Sequence, residues 1–202
     1  NSNLIVEGIT DEIIITSVSQ YLSRIRKNCI DLNEMAVIHA GGNEHIKYLV
    51  MLTQKEKVNS VVLLDADTPG KNAKTKLVES GLISERKIVL INDAITGESP
   101  NYYLDIEDLI DSNLLMELVK EVYAHETYKF DDVSEDDLNG KPKLKFLKSK
   151  LGSKTGNEDI NKFQIAKKLS EKLITDMENN DMKYNNKFVK FELLFGLINV
   201  RK

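Results

Sequence analysis

The chain has 202 residues, 41% of them apolar, with one cysteine and a formal net charge of −4. That is length enough for one hydrophobic core; the lone Cys29 excludes an intramolecular disulfide framework; and no apolar run approaches the roughly eighteen residues of a membrane-spanning helix. The charge is unevenly placed, with 13 basic and 25 acidic residues in 1–140 against 15 basic and 7 acidic in 141–202, which suits either a cation site beside a polyanion-binding surface or two solvated faces of opposite sign.

The chain opens "NSNLIVEG", without a methionine and almost directly on an apolar run, as expected of an excised domain. One rhythm then fills the first half. "LIVEG" (4–8) precedes a helical pattern over about 11–26, and "MAVIHAGG" (35–42) precedes one over about 43–56. "SVVLLDAD" (60–67) precedes one over about 71–80, and "KIVLIN" (87–92) is a fourth run. Short runs rich in Val and Ile, separated by helices, predict parallel strands buried on both faces. Their crossovers are right-handed, so a doubly wound α/β sheet follows. A helix is expected over 112–124. "FDDVSEDDLNGKP" (130–142) reads as an acidic loop and "KLKFLKSKLGSKTG" as basic, part helix and part loop. Residues 158–179 have helical periodicity, with Ile160, Phe163, Ala166, Leu169 and Leu173 on one face and a cap at 157–159. "KFVKFELLFGLI" (187–198) closes the chain as helix or strand. The expected domains are a core at 1–125, a loop linker at 126–157 and a helical C-terminal subdomain at 158–202 packed on the core.

The expected strand ends collect acids. Glu7 and Gly8 end the first run, and Asp11 and Glu12 open the following helix. His39 ends the second run, Asp65 and Asp67 end the third, and Asn92-Asp93 ends the fourth. Asp105, Glu107 and Asp108 come after them. In an open α/β sheet a ligand site lies beyond the carboxyl ends of the strands. Carboxylates crowded at such an edge repel one another unless a cation is shared among them, and a hard divalent ion takes oxygen ligands. Gly8 is expected to let the backbone turn sharply beside Glu7 and approach a phosphate. The three histidines have no partner at zinc spacing, and His39 reads as structural or as the border of a site.

Glu7-Gly8 in "LIVEGITDE" together with Asp65 and Asp67 in "VVLLDADTPG" resembles the Toprim domain of primases, type II and IA topoisomerases and OLD-family (overcoming lysogenization defect) nucleases. The likeness covers about residues 3–110. Asp11 after Glu7, and Asp105-Ile106-Glu107 in "LDIEDL", are most similar to the OLD-family branch. The resemblance implies a Rossmann-like parallel sheet of about four strands flanked by helices, with a helical C-terminal extension. It also implies an ATP-dependent, phage-defence type of DNA endonuclease acting in the cytoplasm. Magnesium, manganese or calcium, as two ions, would be held by Glu7, Asp11, Asp65, Asp67, Asp105 and Glu107. Glu7, Asp65, Asp67 and a lysine would be catalytic. Lys162, opening an amphipathic helix in "NKFQIAKKL", matches that lysine, with Lys148 and Lys154 as alternatives. The expected partners are the DNA backbone, an ABC-type ATPase domain in the same full-length chain, and a second copy of the chain. No GxxxxGK[ST] phosphate loop occurs in these 202 residues.

Three other readings use the same residues. "VVLLDADT" matches the opening of haloacid-dehalogenase-type phosphatases, with Asp65 as nucleophile and Asp67 as acid/base. A receiver domain would use Asp65 as phosphoacceptor but lacks the late strand-end lysine. A catalytically silent Toprim module would bind DNA or a partner without cleavage.

Overall fold

The computed structural model describes residues 2–94, 104–151 and 160–202. Four parallel strands form one sheet: β1 (Ser2–Val6), β2 (Met35–His39), β3 (Asn59–Leu64) and β4 (Ile88–Leu90), in the order β2-β1-β3-β4. Helix α1 (Ile9–Arg24) connects β1 to β2, α2 (Asn43–Lys55) connects β2 to β3, and α3 (Thr68–Glu79) follows β3. In register, Leu4 stands between Val37 of β2 and Val61 of β3, and Val62 pairs with Ile88. The chain runs from β1 outward to β2 and returns past β1 to β3. The connection therefore reverses between β1 and β3, and these two strands bring Glu7 and Asp65 to adjacent ends.

Strand alternation divides the interior. Leu4, Val6, Val61, Leu63 and Val89 face the larger core with α1. Ile5, Val62, Leu64 and Ile88 face the smaller one with Ile46 and Val50 of α2 and Leu77 of α3. The central strands β1 and β3 are buried on both sides, as their unbroken apolar runs predict. Strand β2 is the exception: Met35 is buried, whereas Ala36 and His39 are exposed, because β2 is an edge strand with a neighbour on one side only.

The rest of the chain packs on the larger face. Helix α4 (Ser112–Val122) is capped by Asp111, whose carboxylate accepts from the Asn113 and Leu114 amides at 3.1 and 3.2 Å. In the stretch expected as a linker, the acidic part expected as loop contains short helices, and the basic part expected as part helix and part loop is helical where it is described. A 3-10 segment covers Ala124–Phe130, followed by α5 (Glu135–Leu138) and α6 (Lys143–Leu151). Phe130, Leu138, Leu144, Leu147 and Leu151 join the larger core. Its charges mark the outer side of short amphipathic helices, and the leucines between them supply the inner side.

Helix α7 (Lys162–Asn179) is capped by Asn161, whose side chain accepts from the Gln164 amide at 3.0 Å. The cap expected at 157–159 lies outside the described residues. Ile165, Ala166, Leu169 and Leu173 are buried against α1, while Phe163, expected among them, is 45% exposed. At 100° per residue Phe163 falls about 120° from Leu169, off the buried stripe. Helix α8 (Val189–Arg201) ends the chain and buries Phe191, Leu194, Phe195 and Ile198. Tyr21 of α1 ties these layers together. Its hydroxyl donates to Asp176 of α7 at 2.7 Å and accepts from the Tyr184 amide at 3.0 Å. Among the described residues no helix is long and apolar enough to cross a membrane.

Candidate active site

Glu7 leaves the end of β1 with its carboxylate turned toward β3. Its Oε1 accepts from the Asp65 amide at 2.8 Å, and the Asn43 side chain adds a second hydrogen bond. The Gly42 amide closes the third side by donating to the Glu7 carbonyl at 2.9 Å. Asn43, at the start of α2, is a site residue that the motif pattern alone does not reveal. Its only signal is an amide side chain in "GGNEH", directly after a strand end.

Gly8 does not make the expected sharp turn. Its backbone is extended (φ −129°, ψ 166°), and an added Cβ would lie 3.7 Å from Asp11, an ordinary contact. What Gly8 contributes is its N–H, which donates to Asp11 Oδ2 at 2.8 Å. This holds Asp11, on the first turn of α1, toward Glu7, and a carboxylate there also complements the helix dipole.

Beyond β3, Asp67 caps α3, its Oδ1 accepting from the Gly70 amide at 2.7 Å. Gly70 is required by space. A Cβ built on it would meet the Asp65 carbonyl at 2.1 Å and Asp67 Oδ1 at 3.2 Å. The "DADTPG" turn is wound so tightly over its own backbone that only glycine closes it.

The remaining residues come from further along the chain. Asp105 caps a 3-10 turn at Ile106–Leu109 that carries Glu107 and Asp108. Lys162, first residue of α7, reaches across to them, with Nζ 2.8 Å from Asp105 Oδ2 and 3.1 Å from Glu107 Oε2. The Tyr123 hydroxyl accepts from the Asn161 amide at 2.9 Å and so fixes the helix end that presents Lys162. A cavity of about 690 Å³ opens beside Asp105 and Lys162, lined also by Lys145 and Lys148 of α6. Of the two alternative lysines, Lys148 stands on this cavity, and Lys154 lies outside the described residues.

Other acids near the strand ends have different employment. Glu12 accepts from the His39 amide at 3.1 Å and meets His39 Nδ1 at 2.5 Å. Asp93 accepts from the Leu90 amide at 3.1 Å, with Arg201 3.9 Å away. Asp108, 3% exposed, accepts from the Asp105 amide at 3.0 Å and the Lys143 amide at 2.6 Å, which clamps the 3-10 turn to the start of α6.

Electrostatics couple the acids into one group. Burial, then the charges of Asp11, Glu7 and Asp105, pushes Asp65 up to about 9, with Lys162 opposing. Burial pushes Asp11 up to about 6, with Glu7 and Asp105 adding to the rise. Glu7 is raised mainly by burial, against the Asp65 amide, and also feels Asp67 and Asp105. Glu107 is raised by burial, with Lys162 opposing. Burial would lower Lys162, but Glu107 and Asp105 outweigh it and hold the ammonium above its usual range. Such mutual strain is what carboxylates suffer when they share a small volume without a compensating cation.

The donor set is chemically suited to a hard divalent ion, since it is all carboxylate oxygen. Glu107 is 1% exposed and its Oε1 has no hydrogen-bond partner, an open valence for a buried acid. As they stand, however, no three His, Cys, Asp or Glu side chains among the described residues are grouped so that they could hold a metal ion. Lys162 engages two of the candidate ligands, and Glu7, Asp11 and Asp67 are bonded to backbone amides.

Residues 1–67 match the family model described as the Toprim domain of overcoming lysogenization defect protein-like proteins. No curated protein matches the sequence. Among solved structures, the C-terminal region of the Burkholderia pseudomallei OLD protein is similar at a TM-score of 0.56 and 15% identity. That match covers 100% of this chain and 98% of the other. The C-terminal region of the Xanthomonas campestris pv. campestris OLD protein is similar at 0.55 and 13% identity, covering 99% and 94%. At such identities the likeness is one of fold. Residues 1–67 are therefore similar to the OLD-like Toprim family, and the chain as a whole shares the fold of the C-terminal regions of these OLD proteins.

Proposed function

We propose that this chain is a metal-dependent DNA endonuclease module that hydrolyses the phosphodiester backbone. The reading is carried by the meeting of Glu7 with Asp65: residues 58 apart, from two strands at the reversal point of the sheet, stand 2.8 Å apart, carboxylate to amide. A ligand site is expected at that position in an open α/β sheet, and the electrostatic coupling of Asp11, Asp67 and Asp105 to this pair, and of Glu107 to Asp11 and Asp105, extends it into one cluster.

In this reading Glu7, Asp11, Asp65, Asp67, Asp105 and Glu107 would hold one or two divalent ions. Such ions supply a hydroxide near neutral pH and neutralise charge on the attacking and leaving oxygens. The chain's own groups set the stage. The Asp65 amide and Asn43 orient Glu7, and the Gly8 amide orients Asp11. Asp108 and Lys143 hold the turn bearing Asp105 and Glu107. Lys162 offers a point charge for a phosphate oxygen. Lys145 and Lys148, beside the cavity, favour a polyanion through contacts that carry no base sequence. An ABC-type ATPase domain in the same full-length chain and self-association complete the proposal as OLD-like partners.

The test is supercoiled plasmid incubated with magnesium, manganese or calcium, against chelator, alongside p-nitrophenyl phosphate. Nicking that needs the metal, is lost in Asp67→Asn, and occurs without ester turnover is the expected result. Ester turnover without nicking selects the phosphatase reading. Binding of DNA without either reaction selects the silent module.

A further inference from the structure

We propose that Lys162 is a tethered counter-ion: its ammonium closes the Asp105–Glu107 end of the acid cluster, and a divalent ion takes that end only once the phosphate of a bound polyanion draws the ammonium away. The inference rests on the metal-dependent reading above and concerns the order in which the site assembles.

The ammonium and a metal ion compete for the same oxygens. Nζ sits 2.8 Å from Asp105 and 3.1 Å from Glu107, whereas a magnesium ion needs ligand oxygens at about 2.0–2.1 Å. Both cations cannot stand between the same two carboxylates. The two sides differ in freedom. Glu107 is buried, with one oxygen held by the lysine and the other unpartnered. Lys162 has a long stem, a side chain 42% exposed, and a place on the rim of the cavity shared with Lys145 and Lys148. The lysine can therefore swing to a phosphate in the cavity while Glu107 stays. At the other end of the cluster Glu7 is held by neutral donors, the Asp65 amide and Asn43. The two ends should thus fill unequally. The side chains of Glu7, Asp65 and Asp67 would have to regroup around an ion but meet no competing ammonium, so that end would fill in the free protein, and the end at Asp105 and Glu107 would do so when polyanion is present. Such coupling guards the hydrolytic site against full assembly without substrate.

The experiment is titration with manganese, followed by calorimetry and by the electron paramagnetic resonance of the free ion, with and without a hydrolysis-resistant phosphorothioate DNA duplex. Wild type, Lys162→Met, Lys162→Arg and Lys167→Met are compared after their melting curves are matched. In wild type a second manganese should bind weakly alone and tighten at least about tenfold with the duplex, a size usual for linked ligands. In Lys162→Met that second ion should bind tightly without the duplex and gain nothing from it, while Lys162→Arg and Lys167→Met, an exposed lysine of the same helix, behave as wild type. A wild type whose second affinity ignores the duplex overturns the proposal, even if Lys162→Met fails to fold. So does a Lys162→Met protein within twofold of wild type, or an equal gain in Lys167→Met, which would mark a diffuse charge effect. If neither wild type nor Lys162→Met binds manganese under any condition, the metal-dependent reading itself falls.

Discussion

Replacing Gly70 with alanine tests whether the "DADTPG" turn sets the geometry of the site. The new Cβ would lie 2.1 Å from the Asp65 carbonyl, where real contacts of this kind stay beyond 3.0 Å, so one backbone must yield by about 0.9 Å. Neither partner is a flexible side chain. Insertion of a methyl into so tight a place costs about 1–3 kcal/mol. A shift of this size would also stretch the 2.8 Å bond from the Asp65 amide to Glu7, and loss of a hydrogen bond to a charged group costs about 1.5–3 kcal/mol. The combined loss is about 2.5–6 kcal/mol. In a domain of this length each kcal/mol is worth roughly 2–4 °C of melting temperature, so a fall of about 10 °C is expected by calorimetry. Any hydrolysis should fall at least about a hundredfold, the usual consequence of displacing reacting groups by an ångström. A variant that melts within about 2 °C of wild type and binds manganese alike would refute the reasoning.

Asp67 both caps α3 and stands among the candidate ligands, so two substitutions separate its roles. Asp67→Ala should lose about 1 kcal/mol by urea unfolding for the missing cap, whereas Asp67→Asn should retain that stability and still lose metal-dependent nicking; equal stability of the two would deny the cap. Stability without metal should fall as pH rises from about 5 to 7.5. Asp11, Asp65 and Asp108 have folded values raised above the usual aspartate range, so the folded chain keeps protons that the unfolded chain releases. Their contribution is complete below pH 4 and is lost as pH climbs through the folded values. Melting in chelator at several pH values should show the decline and added magnesium should reverse it; a rise in stability across that window would contradict the sign. Tyr21→Phe should cost about 1.5–3 kcal/mol in urea unfolding, because it deprives the buried Asp176 carboxylate of its hydroxyl donor. A change below about 0.5 kcal/mol, the size usual for a surface substitution, would show the contact to be idle.

The local pattern of the chain carried a large share of this structure. Unbroken Val- and Ile-rich runs ending in Glu7 and in Asp65-Ala66-Asp67 mark strands, and helix periodicity marks what lies between. These are properties of near neighbours in sequence, and they placed most candidate acids at the carboxyl edge. They could not say which acids meet. Glu12, Asp93 and Asp108 look equivalent to the others in sequence, yet His39, Arg201 and Lys143 with the Asp105 amide engage them.

Partner choice depends on strand order and on helices packed from distant parts of the chain. The order β2-β1-β3-β4 puts Glu7 beside Asp65 and leaves β2 as an edge. The packing of α7 on α1 brings Lys162 to Asp105 and Glu107, 57 and 55 residues away. The acidic stretch before it reads as solvated loop because charge dominates its composition. Burial of Phe130 and Leu138 against a core built elsewhere makes part of it helix. Side-chain type and spacing determined what each segment could offer; the three-dimensional arrangement alone decided which offers were taken, because contact energy belongs to groups that share space and sequence distance sets no limit on that.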